Sequence, residues 1–361
     1  MNHSTSAVDV QPLVFSNPSF KDHEQVVFCH DKESGLKAII GVHSTVLGPA
    51  LGGTRMWAYN NEAEALNDVL RLSRGMTFKA AISGLNLGGG KAVIIGDSRT
   101  QKTEAMMRAF GRMVDRLNGS YITAEDVGIT TKDIEHVVKE TKHVTGIPVE
   151  MGGSGDPSPV TAYGTYMGIK ASAKYKWGSD NLEGRKVLVQ GIGNVGITLV
   201  KHLTEAGMEV YIQDIHQDRI AMAVNEYGAK VYEGHYADAD VDVYAPCALG
   251  ATVNDESLDR FRCSIIAGAA NNQLKDENIH GKALAERSIL YAPDFLINAG
   301  GLINVYSEIA KYDRAESLRR TEKIYDTTLE IFTHAETKNI TTHQAALEVA
   351  QARVDAAKAS V

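Results

Sequence analysis

Cysteine is scarce in this sequence, and several other signals are absent. The three cysteines, Cys29, Cys247 and Cys263, lie far apart with no CxxC spacing, which argues against a disulfide scaffold or a zinc ribbon. No apolar run approaches the roughly 18 residues that a membrane span requires, and the first residues show no signal peptide. The twelve histidines form neither an HExxH nor an HxH pattern. We therefore expect a cytoplasmic protein with no metal and no membrane partner.

The charge balance is acidic and the glycine content is high. The chain has 37 Lys and Arg against 45 Asp and Glu, a net charge of −8, which disfavours nucleic acid as a partner. Its 361 residues, 43% of them hydrophobic, suffice for about two globular domains. The 33 glycines exceed the usual share of about 7%. They occur in clusters, and these clusters point to the functional segments.

The order of apolar patterns predicts an α/β protein of two domains. Apolar residues spaced three and four apart predict a helix over Glu62–Met76, whereas Ala92–Ile95 is a short buried strand. A segment rich in glycine and proline, Gly146–Pro159, is the expected junction. Regular strand-helix alternation after it predicts a doubly wound parallel sheet. We expect an N-terminal α/β domain over 1–146, a dinucleotide-binding domain over 147–340, and a helix near 341–361 that packs back on the first domain.

The segment Gly191–Gly196 reads GxGxxG in the setting that dinucleotide binding requires. It follows the apolar strand Lys186–Val189 and opens an amphipathic helix, and the next strand ends at Asp214. The phosphates of a dinucleotide would lie at the helix N-terminus, where unpaired N–H groups point outwards. A carboxylate at Asp214 would bind the adenosine ribose and repel a 2′-phosphate, so the pattern favours NAD over NADP. The predicted cofactor residues here are Gly191, Gly193, Asn194, Val195, Gly196 and Asp214.

Two lysines and an aspartate in the first half are candidates for the chemistry. Lys91 lies between the glycine run Gly88–Gly90, which we expect to be a loop, and an apolar strand, so desolvation would favour its neutral amine. A second positive charge, from Lys79, would add to this effect, and a neutral lysine can act as a general base. Lys79 itself suits a substrate carboxylate. Asp126, after a predicted strand, is placed to exchange a proton with an amine.

These motifs together resemble the Glu/Leu/Phe/Val amino acid dehydrogenase family. The resemblance covers about residues 25–330, and within the family it is strongest to the enzymes that act on leucine. The order and spacing of the motifs carry it. They are Gly52–Met56, Gly75–Lys79, Gly84–Lys91, Ala124–Gly128, Gly155–Gly164, Ala245–Ala248, Gly268–Asn272 and Asn298–Gly301.

The resemblance implies oxidative deamination of an L-amino acid by NAD⁺ and water, which yields a 2-oxo acid, ammonium and NADH. By motif match, Lys91 activates the water, Asp126 exchanges a proton with the substrate nitrogen, and Lys79 binds the substrate carboxylate. The active site would lie in the cleft between the two domains, and the enzymes are commonly homo-oligomers, octamers among the leucine enzymes. Further residues implied for substrate binding are Gly52, Gly53, Met76 and Asn272. Further residues implied for the cofactor are Thr161, Cys247, Ala248 and Asn271.

The resemblance also places four apolar side chains around that of the substrate: Leu51, Ala124, Leu302 and Val305. An acidic substrate would leave its carboxylate unpaired there, at a cost of several kcal/mol, which disfavours glutamate. We expect leucine, valine and isoleucine as substrates, with a valine- or phenylalanine-preferring enzyme of the same family as the alternative. Position 302 is leucine where the branched-chain enzymes usually have valine, which could shift the preference towards valine. A 2-hydroxy acid dehydrogenase and a non-catalytic dinucleotide sensor are the remaining alternatives.

Overall fold

A computed structural model describes residues 14–310 and 313–360, and these residues separate into two compact units. The first unit holds the described residues 14–78 and 86–147, and the second holds 79–85, 148–310 and 313–360. None of the helices in this part of the chain combines the length and the apolar character that a membrane span requires.

The first unit is built on a five-stranded mixed sheet. Its elements are β1 (Gln25–Asp31), β2 (Leu36–Ser44), β3 (Ala50–Trp57), α1 (Glu62–Ile82), β4 (Gly88–Ile95), α2 (Glu104–Asp115), β5 (Tyr121–Glu125) and α3 (Thr131–Val138), and α1 ends within the second unit. The strand order is β1-β2-β4-β3-β5. Strand β2 is antiparallel to β1 and β4, whereas β3 is parallel to β4 and β5. Strand β4 is therefore the central strand.

The two faces of this sheet bury different sets of side chains. Successive residues of a strand point to opposite faces. Ala92 and Ile94 of β4 pack in the core that includes α2, whereas Val93 packs with Val69 of α1. Lys91 shares the parity of Val93, so its side chain belongs to the face covered by α1.

The prediction that Gly88–Gly90 forms a loop was wrong. Strand β4 begins at Gly88, four residues before the predicted strand Ala92–Ile95, and the glycines are buried within it. A Cβ atom at Gly90 would lie 2.6 Å from the ring of Tyr121 on β5, closer than real Cβ atoms approach their neighbours. The glycines are there because neighbouring elements pack too closely for a side chain. The helix before these glycines, α1, is also longer than predicted. It extends to Ile82, whereas the apolar spacing predicted a helix over Glu62–Met76.

The second unit contains the predicted parallel sheet. Its elements are α4 (Ser158–Trp177), β6 (Lys186–Gln190), α5 (Asn194–Glu205), β7 (Glu209–Gln213), α6 (Gln217–Tyr227), β8 (Lys230–Val231), β9 (Val243–Pro246), α7 (Asp255–Leu258), β10 (Ile265–Ile266), α8 (Glu277–Glu286), β11 (Leu290–Tyr291), α9 (Asp294–Ile297), α10 (Gly300–Ala310), α11 (Arg314–Lys338) and α12 (Thr342–Lys358). The order is β11-β10-β9-β6-β7-β8, and every pair is parallel. In chain order this is the 3-2-1-4-5-6 arrangement of a Rossmann sheet, which confirms the predicted fold class.

The C-terminal helix α12 forms close to where the sequence pattern predicts it. Its N-cap, Thr341, accepts a hydrogen bond from the backbone N–H of Gln344. Arg353 donates to the backbone carbonyl oxygens of Ala80 and Ala81, at 3.3 and 2.8 Å. These carbonyls belong to the last turn of α1, so Arg353 satisfies acceptors that a helix C-terminus leaves unpaired.

Candidate active site

The first unit brings two predicted catalytic residues into direct contact. Lys91 Nζ lies 2.6 Å from Asp126 Oδ2, and the Lys91 side chain is 9% exposed against 27% for Asp126. The distance is that of a short charge-assisted hydrogen bond. Lys91 is thus paired with the candidate acid, deep in the sheet, while one side of the carboxylate remains accessible.

The strand order explains why these residues meet although 35 positions separate them. Lys91 is on the central strand β4, β3 lies between β4 and β5, and Asp126 follows directly after β5. Glycine at Gly53 of β3 makes this close packing feasible. A Cβ atom there would lie 2.5 Å from the Glu125 carbonyl oxygen and 2.9 Å from Asp126 Cβ. The turn that carries Asp126 can therefore lie against β3 only because position 53 has no side chain.

The charges around Asp126 favour its ionised form. Burial by itself would raise the pKa of the Asp126 carboxyl, but the positive charges of Lys91 and Arg55 outweigh it and hold that pKa below its ordinary value. At neutral pH the group is a carboxylate, which can receive a proton from a substrate ammonium group. Sequence reasoning missed Arg55, although it belongs to the quoted motif Gly52–Met56. The sequence did contain a signal for it. Arg55 is two residues after Gly53, and residues two apart in a strand point to the same face, here the face on which Asp126 lies.

The residues predicted to bind substrate are distributed over both units. Met76 and Lys79 lie one turn apart in the C-terminal part of α1. Gly52 is on β3, where its carbonyl oxygen accepts a hydrogen bond from the buried Tyr121 hydroxyl at 2.6 Å. Asn272 is exposed, with a backbone φ of 53°.

The four apolar residues predicted to surround the substrate side chain are all buried within their own units. Leu51 and Ala124 are 2% and 7% exposed in the first unit. Leu302 and Val305 are 6% and 7% exposed, and their spacing places them on one face of α10 in the second unit.

The glycine loop of the second unit has the shape that a dinucleotide phosphate requires. Gly191 has a φ of +91°, and a Cβ atom there would lie 2.4 Å from Ala248 Cβ. A Cβ atom at Gly196 would lie 2.0 Å from the Gly191 carbonyl oxygen, so the close packing of α5 on β6 demands glycine. Gly193 is the N-cap of α5, and a Cβ atom there would make an ordinary contact with Arg219 Nη1, at 3.7 Å. The residues that follow it, Asn194 and Val195, form the first turn of α5, where N–H groups are available for an anion.

Asp214 places a negative charge next to this loop. Its Oδ2 accepts a hydrogen bond from the Ile192 backbone N–H at 2.7 Å, and its Oδ1 accepts one from His216 at 2.9 Å. Burial alone would raise the pKa of Asp214, but these backbone N–H groups lower it below the ordinary value. The glycine loop and the end of β7 are thus joined through an ionised carboxylate.

The other predicted cofactor residues lie near the same end of the parallel sheet. Thr161 is in the first turn of α4, and its hydroxyl donates to the Pro157 carbonyl oxygen at 3.0 Å. Asn271 accepts a hydrogen bond from Asn298 Nδ2 at 2.7 Å, a partner that sequence reasoning did not identify.

Cys247 and Ala248 directly follow β9, beside the glycine loop. Burial raises the pKa of the Cys247 thiol to about 12, so this group is a poor nucleophile at neutral pH. This agrees with a packing role for the side chain.

Comparison with known proteins identifies the family. The Glu/Leu/Phe/Val dehydrogenase dimerisation domain matches residues 23–143, and the Glutamate/Leucine/Phenylalanine/Valine dehydrogenase family matches residues 152–215 and 211–360. A leucine dehydrogenase from Geobacillus stearothermophilus is 54% identical over 335 residues, which cover 92% of this chain and 91% of that protein. A phenylalanine dehydrogenase from Caldalkalibacillus thermarum is 46% identical, with 92% and 91% covered.

A solved structure extends the similarity to the fold. The crystal structure of L-tryptophan dehydrogenase from Nostoc punctiforme matches with a TM-score of 0.83 at 46% identity, and the match covers 93% of this chain and 97% of that one. The resemblance drawn from the motifs is confirmed. The chain belongs to the glutamate/leucine/phenylalanine/valine dehydrogenase family of oxidoreductases.

Proposed function

We propose that this enzyme catalyses the NAD⁺-dependent oxidative deamination of branched-chain aliphatic L-amino acids, namely leucine, valine and isoleucine. One amino acid, one NAD⁺ and one water give one 2-oxo acid, one ammonium ion, one NADH and one proton. The observation that carries the proposal is the contact of 2.6 Å between Lys91 Nζ and Asp126 Oδ2 on one face of the first sheet. It joins a candidate base and a candidate acid by a single hydrogen bond.

The two residues divide the proton transfers between them. The Asp126 carboxylate receives a proton from the substrate ammonium group, because only a neutral amine has the lone pair that assists loss of hydride from the α-carbon. Lys91, whose own proton passes to solvent before the substrate is deprotonated, then removes a proton from the water that attacks the imino acid. The bound nicotinamide supplies the hydride acceptor. Asp126 then returns its proton to the carbinolamine nitrogen, and the C–N bond breaks as the hydroxyl oxygen becomes the 2-oxo carbonyl. The hydroxyl proton goes to the departing nitrogen, which leaves as ammonium.

The remaining substrate contacts follow from the family resemblance. The Lys79 ammonium binds the substrate carboxylate, with support from Gly52, Gly53 and Asn272, and Met76 lies one turn away from Lys79 on the same helix. A fixed carboxylate orients the α-carbon of the substrate.

An aliphatic side chain suits the four apolar residues Leu51, Ala124, Leu302 and Val305. Branched-chain substrates are also favoured by similarity, since the leucine dehydrogenases reach 54% identity and the L-tryptophan and phenylalanine enzymes 46%. Preference for valine or for phenylalanine is the alternative that a substrate panel would reveal.

NAD rather than NADP is the proposed cofactor, and the ionised Asp214 supports this. The Gly191–Gly196 loop and the first turn of α5 hold the pyrophosphate, and Thr161, Asn271, Cys247 and Ala248 lie towards the nicotinamide. Replacing Asp214 with serine removes the charge that opposes a 2′-phosphate. We expect kcat/KM for NADP⁺ to rise at least tenfold relative to NAD⁺, which corresponds to about 1.4 kcal/mol. An unchanged ratio would remove Asp214 from the cofactor site.

The activity is tested by NADH formation with a panel of L-amino acids, and by NADH oxidation with the matching 2-oxo acids. We expect leucine, valine and isoleucine to give the highest kcat/KM, and the reverse reaction to require ammonium. Reduction of 2-oxo acids without ammonium would instead indicate a 2-hydroxy acid dehydrogenase. A Lys91→Ala variant should bind NADH normally and lose nearly all turnover, and wild-type turnover in this variant would refute the mechanism.

We also propose that the enzyme is a cytoplasmic homo-oligomer, with an octamer as the expected form. Residues 23–143 match a domain described as a dimerisation domain, and all three cysteines are free thiols. Light scattering should give a mass eight times that of the chain, and a monomeric mass would contradict the proposal.

A further inference from the structure

Arg55 lies against the carboxylate of the Lys91–Asp126 pair, from the neighbouring strand. Its Nε is 3.5 Å from Asp126 Oδ2, the same oxygen that Lys91 contacts at 2.6 Å. This Nε is buried and has no hydrogen-bond partner within the described part of the chain. Buried donors without a hydrogen bond are rare in native proteins, so the position of this one next to Asp126 calls for an explanation.

Arg55 is held in this position from its other end. Its Nη1 contacts Asp68 Oδ2 of α1 at 3.0 Å, and the Tyr59 hydroxyl donates to the same oxygen at 2.7 Å. Arg71 contacts the other oxygen of Asp68 at 3.2 Å but is half exposed. The guanidinium is thus fixed between two carboxylates, one structural and one in the candidate active site.

The groups that face Asp126 come from three strands. Lys91 of β4 and Arg55 of β3 are the positive groups, and the hydroxyl of Tyr121 on β5 is bonded to the Gly52 carbonyl oxygen. Glu125, the adjacent residue of β5, accepts a hydrogen bond from the Thr131 hydroxyl at 3.3 Å. Burial raises the pKa of Tyr121, so this group stays neutral. Burial alone would lower the pKa of Arg55, but Asp126 and Asp68 raise it above the ordinary value.

We propose that Arg55 is a positioning residue for catalysis, which keeps the Asp126 carboxylate oriented and compensated while Lys91 changes its protonation state. The proposal rests on the proposed roles of Lys91 and Asp126. A base must release its proton before it acts, and the partly buried Asp126 carboxylate then loses the positive charge 2.6 Å away before it has taken a proton from the substrate. Arginine does not lose its proton in proteins. Arg55 therefore supplies the constant positive charge that allows Lys91 to become neutral.

The test is the pH profile of kcat/KM for L-leucine with the full-length enzyme. Arg55→Gln removes a positive charge next to the Lys91–Asp126 pair. That charge favours the deprotonated state that the cycle needs, so we expect the acidic limb of the profile to move up by about one pH unit. Arg55→Lys keeps the charge, so its limb should stay close to that of the wild type although kcat falls. Arg71→Gln is the matched control, because Arg71 contacts Asp68 but not Asp126, and it should leave the profile unchanged. An unmoved acidic limb in Arg55→Gln would overturn the proposal.

Asp126→Asn separates failure of this inference from failure of the proposed function. Wild-type activity in Asp126→Asn would refute the proposed role of Asp126 itself. Loss of activity in Asp126→Asn together with a wild-type profile in Arg55→Gln would refute only the role of Arg55. If Arg55→Gln does not fold, Asp68→Asn tests the proposal instead. This substitution removes the ion pair that holds the Arg55 guanidinium but leaves the positive charge of Arg55 in place. We expect a lower kcat with an unmoved acidic limb, and an unchanged kcat would overturn the proposal.

Discussion

Replacing Gly53 with alanine tests whether the packing of β3 against the turn after β5 sets the geometry of the Lys91–Asp126 pair. The added Cβ would lie 2.5 Å from the Glu125 carbonyl oxygen, whereas ordinary contact begins near 3.4 Å, so the turn must move by about 0.9 Å. Asp126 moves with that turn. A displacement of this size in a catalytic group typically lowers the rate about 100-fold, which corresponds to about 2.7 kcal/mol of transition-state stabilisation.

The assay is kcat/KM for L-leucine, with thermal or urea unfolding measured on the same samples. Overpacking should also lower the free energy of unfolding, by about 1–3 kcal/mol. Gly75→Ala is the matched control, because a Cβ at this exposed position of α1 meets nothing within 4 Å. It should stabilise the helix by about 1 kcal/mol and leave kcat/KM within about twofold. A folded Gly53→Ala enzyme with wild-type kcat/KM would refute the reasoning.

Three further predictions concern charge, reactivity and specificity. The lowered pKa of Asp126 means that its contribution to stability is present above the ordinary carboxyl pKa of about 4 and is lost as the pH falls through the folded-state value. In urea unfolding, the advantage of the wild type over Asp126→Asn should therefore shrink from neutral pH to about pH 3, and a constant difference would contradict this. Burial raises the pKa of the Cys29 thiol to about 11 and that of the Cys263 and Cys247 thiols to about 12, so few thiolates are present near neutral pH. After iodoacetamide treatment of the native enzyme near neutral pH, mass spectrometry should therefore find all three cysteines unmodified. Rapid labelling of any of them would show that burial does not protect it. Leu302→Val should raise kcat/KM for leucine relative to that for valine, because one methylene in an apolar pocket changes transition-state binding by about 1–3 kcal/mol. An unchanged ratio would remove Leu302 from the substrate pocket.

The fold of the second unit could be predicted from the sequence because its signals are local. The glycines of Gly191–Gly196, the strand before them and Asp214 lie within 30 residues, and each has one physical reason to be where it is. The parallel order of the sheet then followed from the regular alternation of strands and helices. Family resemblance supplied Lys91 and Asp126 as partners in the chemistry.

The error at Gly88–Gly90 and the omission of Arg55 both concern features that depend on how neighbouring strands pack, not on the local sequence. Glycine has a low intrinsic strand propensity, so the run was interpreted as a loop, whereas the packing of β4 against its neighbours required residues without side chains. Arg55 meets Asp126 only because β3 lies between β4 and β5, and no local pattern encodes that order. Had the segment Ala50–Trp57 been recognised as a strand, its alternation would have placed Gly53 and Arg55 on the same face.

The location of Lys91 on the central strand has a consequence for motion. Strand β4 has a hydrogen-bonded neighbour on each side, whereas Asp126 lies just beyond the end of an edge strand. Amide protons along β4 should therefore exchange with solvent among the slowest in the first unit, and those around Asp126 much faster. Of the two residues, Lys91 is thus the one with the more stable backbone. Local opening of this site should therefore begin at the turn that carries Asp126, before the strand that carries Lys91 separates from its neighbours.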